Sequence, residues 1–280
     1  MKKINNFLKL NVKKKTEKRK IKRKFLFATD FDQTLSFDDT GVLISLELGI
    51  PPEKFLNKVK EIRNRNITQL GGELAYLLAY DPEYKNRVTK DFLLKIGEKV
   101  RLKADVDILF RTLQEGIEDC EFVCYVISAC PDLIIKKSMS KILKEENIFG
   151  TEFRYDEQGR IVEILRTAAG HGKAAIVDYL VEKEHIPKEN VIYIGDGSSD
   201  IHVMLHVNVY GGFTIAVSPS PYLGHISKRT VLSENALSVL CPILEDLFGY
   251  TEEEIKNFYA KLGHPIYEWN RAKMEWLTIA

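Results

Sequence analysis

A chain of 280 residues, 45% hydrophobic and 29% charged, is long enough to bury a sizeable core and has the balance of an ordinary soluble globular protein. No apolar run approaches the roughly 20 residues that a membrane span needs, which excludes a transmembrane helix. The net charge of +1 hides a division, because residues 1–24 hold twelve Lys/Arg and one acidic residue, Glu17, leaving an acidic body with a net of −10.

The basic tail lacks aromatic interleaving and a strong apolar face, so a solvated arm is preferred over one that binds nucleic acid or anionic lipid. It has no apolar signal-peptide region, and it is Lys-rich rather than Arg- and Ser-rich as transit peptides are. These features point to a cytoplasmic protein. The cysteines agree: Cys120, Cys124 and Cys130 lie in or beside a predicted buried strand and lack metal-binding or CxxC spacing, so packing is favoured over zinc or a disulfide.

After the tail, Phe25 to Ala28 reads as a strand covered on both faces, and it stops at Asp30-Phe31-Asp32-Gln33-Thr34. Alternation sends Asp30 and Asp32 to the same side, where a divalent cation is the simplest way to keep both ionised. An Asx-turn is the competing explanation. Residues 36–105 read as a helical insertion: Val42, Leu43, Leu46 and Ile50 recur at helical spacing, and further helices are expected over 52–64, 69–79, 89–99 and 105–115.

Glu121 to Ile127 is the next strand, ending at Ser128-Ala129-Cys130-Pro131, with Pro131 suited to the first turn of a helix running to about Glu146. Thr151–Tyr155 and Ile161–Leu165 flank a hairpin turn at Asp156-Glu157-Gln158-Gly159. A helix from Gly172 to Glu184 leads to the buried strand Val191–Ile194, which ends in Gly195-Asp196-Gly197-Ser198-Ser199-Asp200. A helix carrying His202 and His206 and a strand from Phe213 to Val217 follow, and residues 234–279 read as helical with a break at Gly263-His264-Pro265. Ile266, Trp269, Ala272 and Trp276 suggest a face that packs on the body or, second, binds a partner or another copy.

Strand ends at 30, 128 and 196 thus deliver small polar or acidic residues to one edge of an α/β, Rossmann-like, doubly wound parallel sheet. The expected organisation is a tail over 1–24, a core of 25–35 and 106–233, the helical insertion over 36–105, and a helical extension over 234–280. His202 and His206 stand at i, i+4, but with no third ligand, helix packing or orientation of the site is preferred over zinc.

The ordered set Asp30-x-Asp32-x-Thr34, Ser128, Lys173 and Gly195-Asp196-Gly197-Ser198-Ser199-Asp200 resembles the haloacid-dehalogenase superfamily of phosphohydrolases, in the branch that contains phosphoserine phosphatase. The 45 residues from Ser128 to Lys173 and 23 from Lys173 to Asp196 are close to the separations in that branch, and the 98 from Asp30 to Ser128 leave room for a cap. The resemblance implies a phosphatase acting on a small phosphorylated metabolite. Asp30 would be the nucleophile that forms an aspartyl-phosphate, and Asp32 the general acid and base. Mg²⁺ would be held by the Asp30 and Asp196 carboxylates and the Asp32 carbonyl, with Asp200 nearby. Thr34, Ser128, the following N–H of Ala129, Lys173 and Ser199 would face phosphate.

Two departures bear on the substrate. Ala129-Cys130-Pro131 stands where that branch usually has two glycines after the serine, and Ser198-Ser199-Asp200 stands where it usually has Ala-Asn-Asp. Asp38 or Asp39 is a candidate for an ammonium group of the substrate, Arg63 or Arg65 for a carboxylate, and Gly71-Gly72 for a hinge or a helix break. A phosphotransferase or mutase with the same site is the first alternative, and a phosphate-sensing or scaffold protein the second.

Overall fold

The apolar runs of the sequence become the middle of one seven-stranded sheet in the computed structural model, which describes residues 23–266. In chain order, β1 (Arg23–Thr29) is followed by α1 (Thr40–Glu47), α2 (Pro52–Asn64), α3 (Glu73–Tyr80), α4 (Lys90–Lys99) and α5 (Val106–Glu115). Next come β2 (Cys120–Pro131), α6 (Asp132–Ser138) and the pair β3 (Ile148–Tyr155) and β4 (Ile161–Arg166). Then follow α7 (His171–Glu184), β5 (Val191–Gly195), α8 (Ile201–Val209), β6 (Phe213–Ala216), α9 (Pro221–Ile226), β7 (Arg229–Thr230), α10 (Leu240–Phe248) and α11 (Glu252–Lys261).

The strand order is β4-β3-β2-β1-β5-β6-β7, parallel throughout except for the antiparallel β3–β4 hairpin at the edge. Parallel strands need crossovers that cover both faces, which is why the central strands are apolar at consecutive positions. The alternation is legible in β1: Phe25 and Phe27 face one core with Phe110, Leu113, Leu240 and Ile243, while Leu26 and Ala28 face the other with Val177, Leu180, Val203 and Met204. In β5, Ile192 and Ile194 share the first core, and Val191 and Tyr193 the second.

Helices α1 to α4 leave the sheet after β1 and return before α5. Their two connections pair with each other at the root: Ser36 bridges Leu102, Phe37 N donates to Arg101 O at 2.9 Å and Lys103 N to Leu35 O at 2.8 Å. The Asp38 carboxylate adds an ion pair to Arg101 at 2.8 Å. Asp39 caps α1 by accepting from Val42 N, and Thr89 caps α4 by accepting from Phe92 N.

Three elements differ from expectation. Pro131 ends β2 and stands just before α6 rather than inside its first turn, and α6 stops at Ser138 rather than near Glu146. The Ser138 hydroxyl donates to Ile134 O at 2.8 Å and Gly97 O at 2.9 Å, taking carbonyls at the end of the helix, and the chain then turns to bury Met139 and Leu143. Helix α3 begins at Glu73 rather than 69, because Gly71 sits at φ +88°. The basic stretch 1–22 and, beyond Ile266, the aromatic stretch to Trp276 lie outside the described residues.

Phe110 is fully buried and meets Phe27 edge-on at 6.1 Å, tying α5 to the central strand. Phe110→Ala is expected to lower unfolding free energy by about 3–5 kcal/mol in a chemical denaturation experiment.

Candidate active site

The carboxyl ends of β1, β2 and β5 meet at one point. β1 passes into Asp30, whose N–H continues the ladder to Ile194 O at 2.8 Å, so the nucleophile candidate is fixed by the sheet. Its Oδ1 accepts from Phe31 N at 2.7 Å and its Oδ2 lies 2.9 Å from Lys173 Nζ. The next side chain, Phe31, turns away into the core, as alternation requires. Ser128, near the end of β2, is buried and accepts from Cys130 N at 3.3 Å, and its hydroxyl acts to lower the pKa of Asp30. Thr34 Oγ1 donates to Asp196 Oδ1 at 2.9 Å, joining the first acidic motif to the last.

Lys173 enters from the first turn of α7 and is 0% exposed. Its ammonium contacts Asp200 Oδ1 at 2.6 Å, Asp30 Oδ2 at 2.9 Å and Ser199 Oγ at 3.4 Å. Burial opposes its charge, yet Asp200 and Asp30 outweigh that and hold its pKa above the ordinary lysine value. Asp200 has further partners: Tyr193 OH donates to Oδ1 at 2.7 Å, and the N–H groups of Asp196 and Gly197 donate to Oδ2 at 3.2 and 3.1 Å. The loop closes so tightly around this carboxylate that a Cβ on Gly195 would sit 2.4 Å from Asp200 Cγ.

Asp30, Asp196 and Asp200 each offer an oxygen, and these oxygens lie within 4.8 Å of one another. Burial and the charges of Asp200 and Asp30 respectively push Asp30 up to about 6 and Asp196 up to about 8, with Asp200 adding to the second shift. Crowded carboxylates of this kind, all oxygen donors, suit a hard divalent cation.

Asp32 has a different setting. Its Oδ2 accepts from Thr40 Oγ1 at 2.6 Å and Thr40 N at 3.2 Å, while Oδ1 is buried and has no partner among the described residues. Burial first and the Asp39 charge second raise its pKa well above the carboxylate range, a setting that favours the protonated form.

These groups open into a cleft of about 590 Å³ whose opposite wall comes from α2 and α3: Phe55, Val59, Arg63, Glu73 and Leu74. Ala129, Cys130, Asp39 and Ser199 also line it. Asp38 is committed to Arg101, and Arg65 is not among the lining residues, so Asp39 and Arg63 are the charged candidates that reach the space. Gly71 presses on the core here, since a Cβ would sit 2.7 Å from Ser199 Cβ and 3.0 Å from Ala169 Cβ.

The histidines at i, i+4 do not converge. His202 stacks on His171 with ring centroids 3.9 Å apart, and His206 Nε2 lies 3.0 Å from Asp178 Oδ1. Three residues of the site were not singled out by sequence reasoning: Thr40, Tyr193 and Glu73. Thr40 had a signal, as the first residue of a helix capped by Asp39, whereas Tyr193 and Glu73 look like a strand aromatic and a helix-start acid.

A family description, haloacid dehalogenase-like hydrolase, matches residues 27–205. Among curated proteins no match is found. Among solved structures, a phosphoserine phosphatase in apo form aligns with a TM-score of 0.61 and 20% identity, covering 78% of this chain and 98% of its own. A phosphoserine phosphohydrolase-like protein from Francisella tularensis aligns at 0.58 and 19%, covering 77% and 98%. A HAD family hydrolase from Salmonella enterica serovar Typhi aligns at 0.62 and 16%, covering 79% and 71%. At these identities the structural likeness is one of fold, and it agrees with the family assignment that the sequence match carries: this chain belongs to the haloacid dehalogenase-like hydrolases.

Proposed function

We propose that the protein is a Mg²⁺-dependent phosphomonoesterase acting on a small phosphorylated metabolite through an aspartyl-phosphate. The observation that carries this reading is the pairing of two unlike carboxylates at one strand end: Asp30, oriented by Lys173 and the Phe31 N–H, and Asp32, raised toward its acid form. The Asp30 carboxylate attacks phosphorus as the bond to the leaving oxygen breaks, and Asp32 gives that oxygen its proton. Water then attacks phosphorus, Asp32 takes the proton, and the carboxylate of Asp30 is released with inorganic phosphate.

Ser128, the Ala129 N–H and Lys173 would hold phosphate oxygens, with Ser199 beside Lys173 and Thr34 orienting Asp196. Asp30, Asp196 and the Asp32 carbonyl would hold Mg²⁺, and Asp200, through its four hydrogen bonds, would shape the loop around it. When bound, the ion supplies charge neutralisation on the phosphoryl oxygens, so that an anionic nucleophile and an anionic ester approach each other. Residues 36–105 would act as the cap that excludes bulk water.

Arg63 and Asp39 on the same cleft suit a substrate with a carboxylate and an ammonium group, and the phosphoserine phosphatase structures of the same fold make phosphoserine the first ester to try. Phosphate release from a panel of phosphomonoesters is expected to require Mg²⁺. It should fall below detection in Asp30→Asn and by about 10²–10⁴-fold in Asp32→Asn. An added acceptor alcohol that lowers free phosphate yield would redirect the reading to phosphoryl transfer.

The raised pKa values also fix a stability profile. Asp30 and Asp196, at about 6 and 8, bind protons more tightly in the folded chain than in the unfolded one, so their contribution is full below about pH 4. It is lost as pH rises through 6 and then 8. Metal-free protein is therefore expected to melt at progressively lower temperature from pH 5 to pH 8. Mg²⁺ should raise the melting temperature most at pH 8, where it no longer competes with protons, and thermal melts with and without chelator read both effects.

A further inference from the structure

Glu73 is the first residue of α3 and 3% exposed, and it lines the cleft with Arg63. Each of its oxygens has one donor: Oε1 accepts from Arg63 Nε at 3.1 Å, and Oε2 from Gly71 N at 2.8 Å. The two donors belong to different parts of the insertion. Arg63 is in the last turn of α2, with its side chain 46% exposed, and Gly71 is where the insertion touches Ser199 and Ala169 of the core. A carboxylate anchoring the Nε edge of a guanidinium leaves the two Nη groups for a second acceptor, and for Arg63 no such acceptor is found among the described residues. Ser199, on the far side of the Gly71 contact, is within 3.4 Å of the Lys173 ammonium.

We propose that Glu73 is a positioning residue of the cleft: its buried carboxylate, itself held by the Gly71 N–H, aims Arg63 at the anionic group of the substrate remote from the phosphate. This rests on the reading of the protein as a phosphatase whose Arg63 meets a substrate carboxylate. Both oxygens of Glu73 are engaged within the insertion, so the role assigned to it is carried through Arg63. Replacing it by Gln keeps the shape but turns one acceptor into an NH₂ donor, which must face either Arg63 Nε–H or Gly71 N–H, donor against donor.

The test compares two esters in the full chain with Mg²⁺: phosphoserine, which carries a carboxylate, and p-nitrophenyl phosphate, which does not. Glu73→Gln is expected to raise KM for phosphoserine at least tenfold with kcat within threefold, and to leave both constants for p-nitrophenyl phosphate within twofold. Arg63→Ala should give the same pattern, and the double variant should be no worse than Arg63→Ala alone, since Glu73 acts through that side chain. Equal losses on both esters in Glu73→Gln, or additive losses in the double variant, would show a merely structural acid and overturn the inference while the phosphatase reading stands. Should Glu73→Gln fold poorly, Arg63→Ala and Arg63→Lys decide: loss confined to phosphoserine supports the arrangement, and none overturns it. A wild type that cleaves p-nitrophenyl phosphate but not phosphoserine removes the ligand assigned to Arg63 and the inference with it. A wild type inactive on both removes the phosphatase reading first.

Discussion

A lysine ammonium that no water reaches must be answered by fixed negative charge, and at Lys173 that requirement organises the whole edge of the sheet. Asp30 comes from β1 and Asp200 from the loop after β5, so the ion pairs hold two strands and α7 in one geometry. The answer overshoots, because Asp196 brings a third carboxylate to the cluster. With burial, the excess is carried as raised pKa values at Asp30 and Asp196 rather than as further ion pairs. A buried acidic cluster in this state suits a hard divalent cation, whose charge would answer the excess.

The sheet was legible because its strands are short apolar runs ending in Asp, Ser or Gly, and parallel strands buried on both faces leave that signature. The convergence of residues 30, 128 and 196 followed from three strand ends on one edge, and that of Lys173 from the resemblance of its spacing to the haloacid-dehalogenase pattern. What did not follow were interactions whose partners are far apart in sequence. Nothing local marks Tyr193 as the donor to Asp200, since in an apolar strand an aromatic residue reads as packing. Glu73 likewise reads as an acid at a helix start, where the macrodipole alone would favour it. The end of α6 was missed for a related reason: Ser138 stops the helix through a bond to Gly97, about forty residues earlier.

The charged candidates of the cleft show the same limit. Asp38 and Asp39 are neighbours in sequence, as are Arg63 and Arg65 nearly so, and composition cannot separate them. Their backbone positions do. Asp38 meets Arg101 across the paired connections, while Asp39, one residue on, caps α1 and borders the cleft. On α2, Arg63 stands one helical turn beyond Val59 and inherits the face that looks into the cleft; Arg65, two residues later, is rotated away.

The connections at the root of the insertion have one further implication. Because Ser36 pairs with Leu102 and Leu35 with Lys103, the outgoing and returning chains close a gap only one strand pair wide, and to the sheet the helices between them are a loop whose ends already meet. The closure entropy of such a loop grows only by about 0.6 kcal/mol per doubling of length. The helices can therefore lengthen without re-threading a strand, whereas Thr40 on Asp32 and Gly71 against Ser199 tie two points of the insertion to the acidic edge. In this architecture the strand order belongs to the core alone, and the insertion is registered on it at the paired root and at those two contacts.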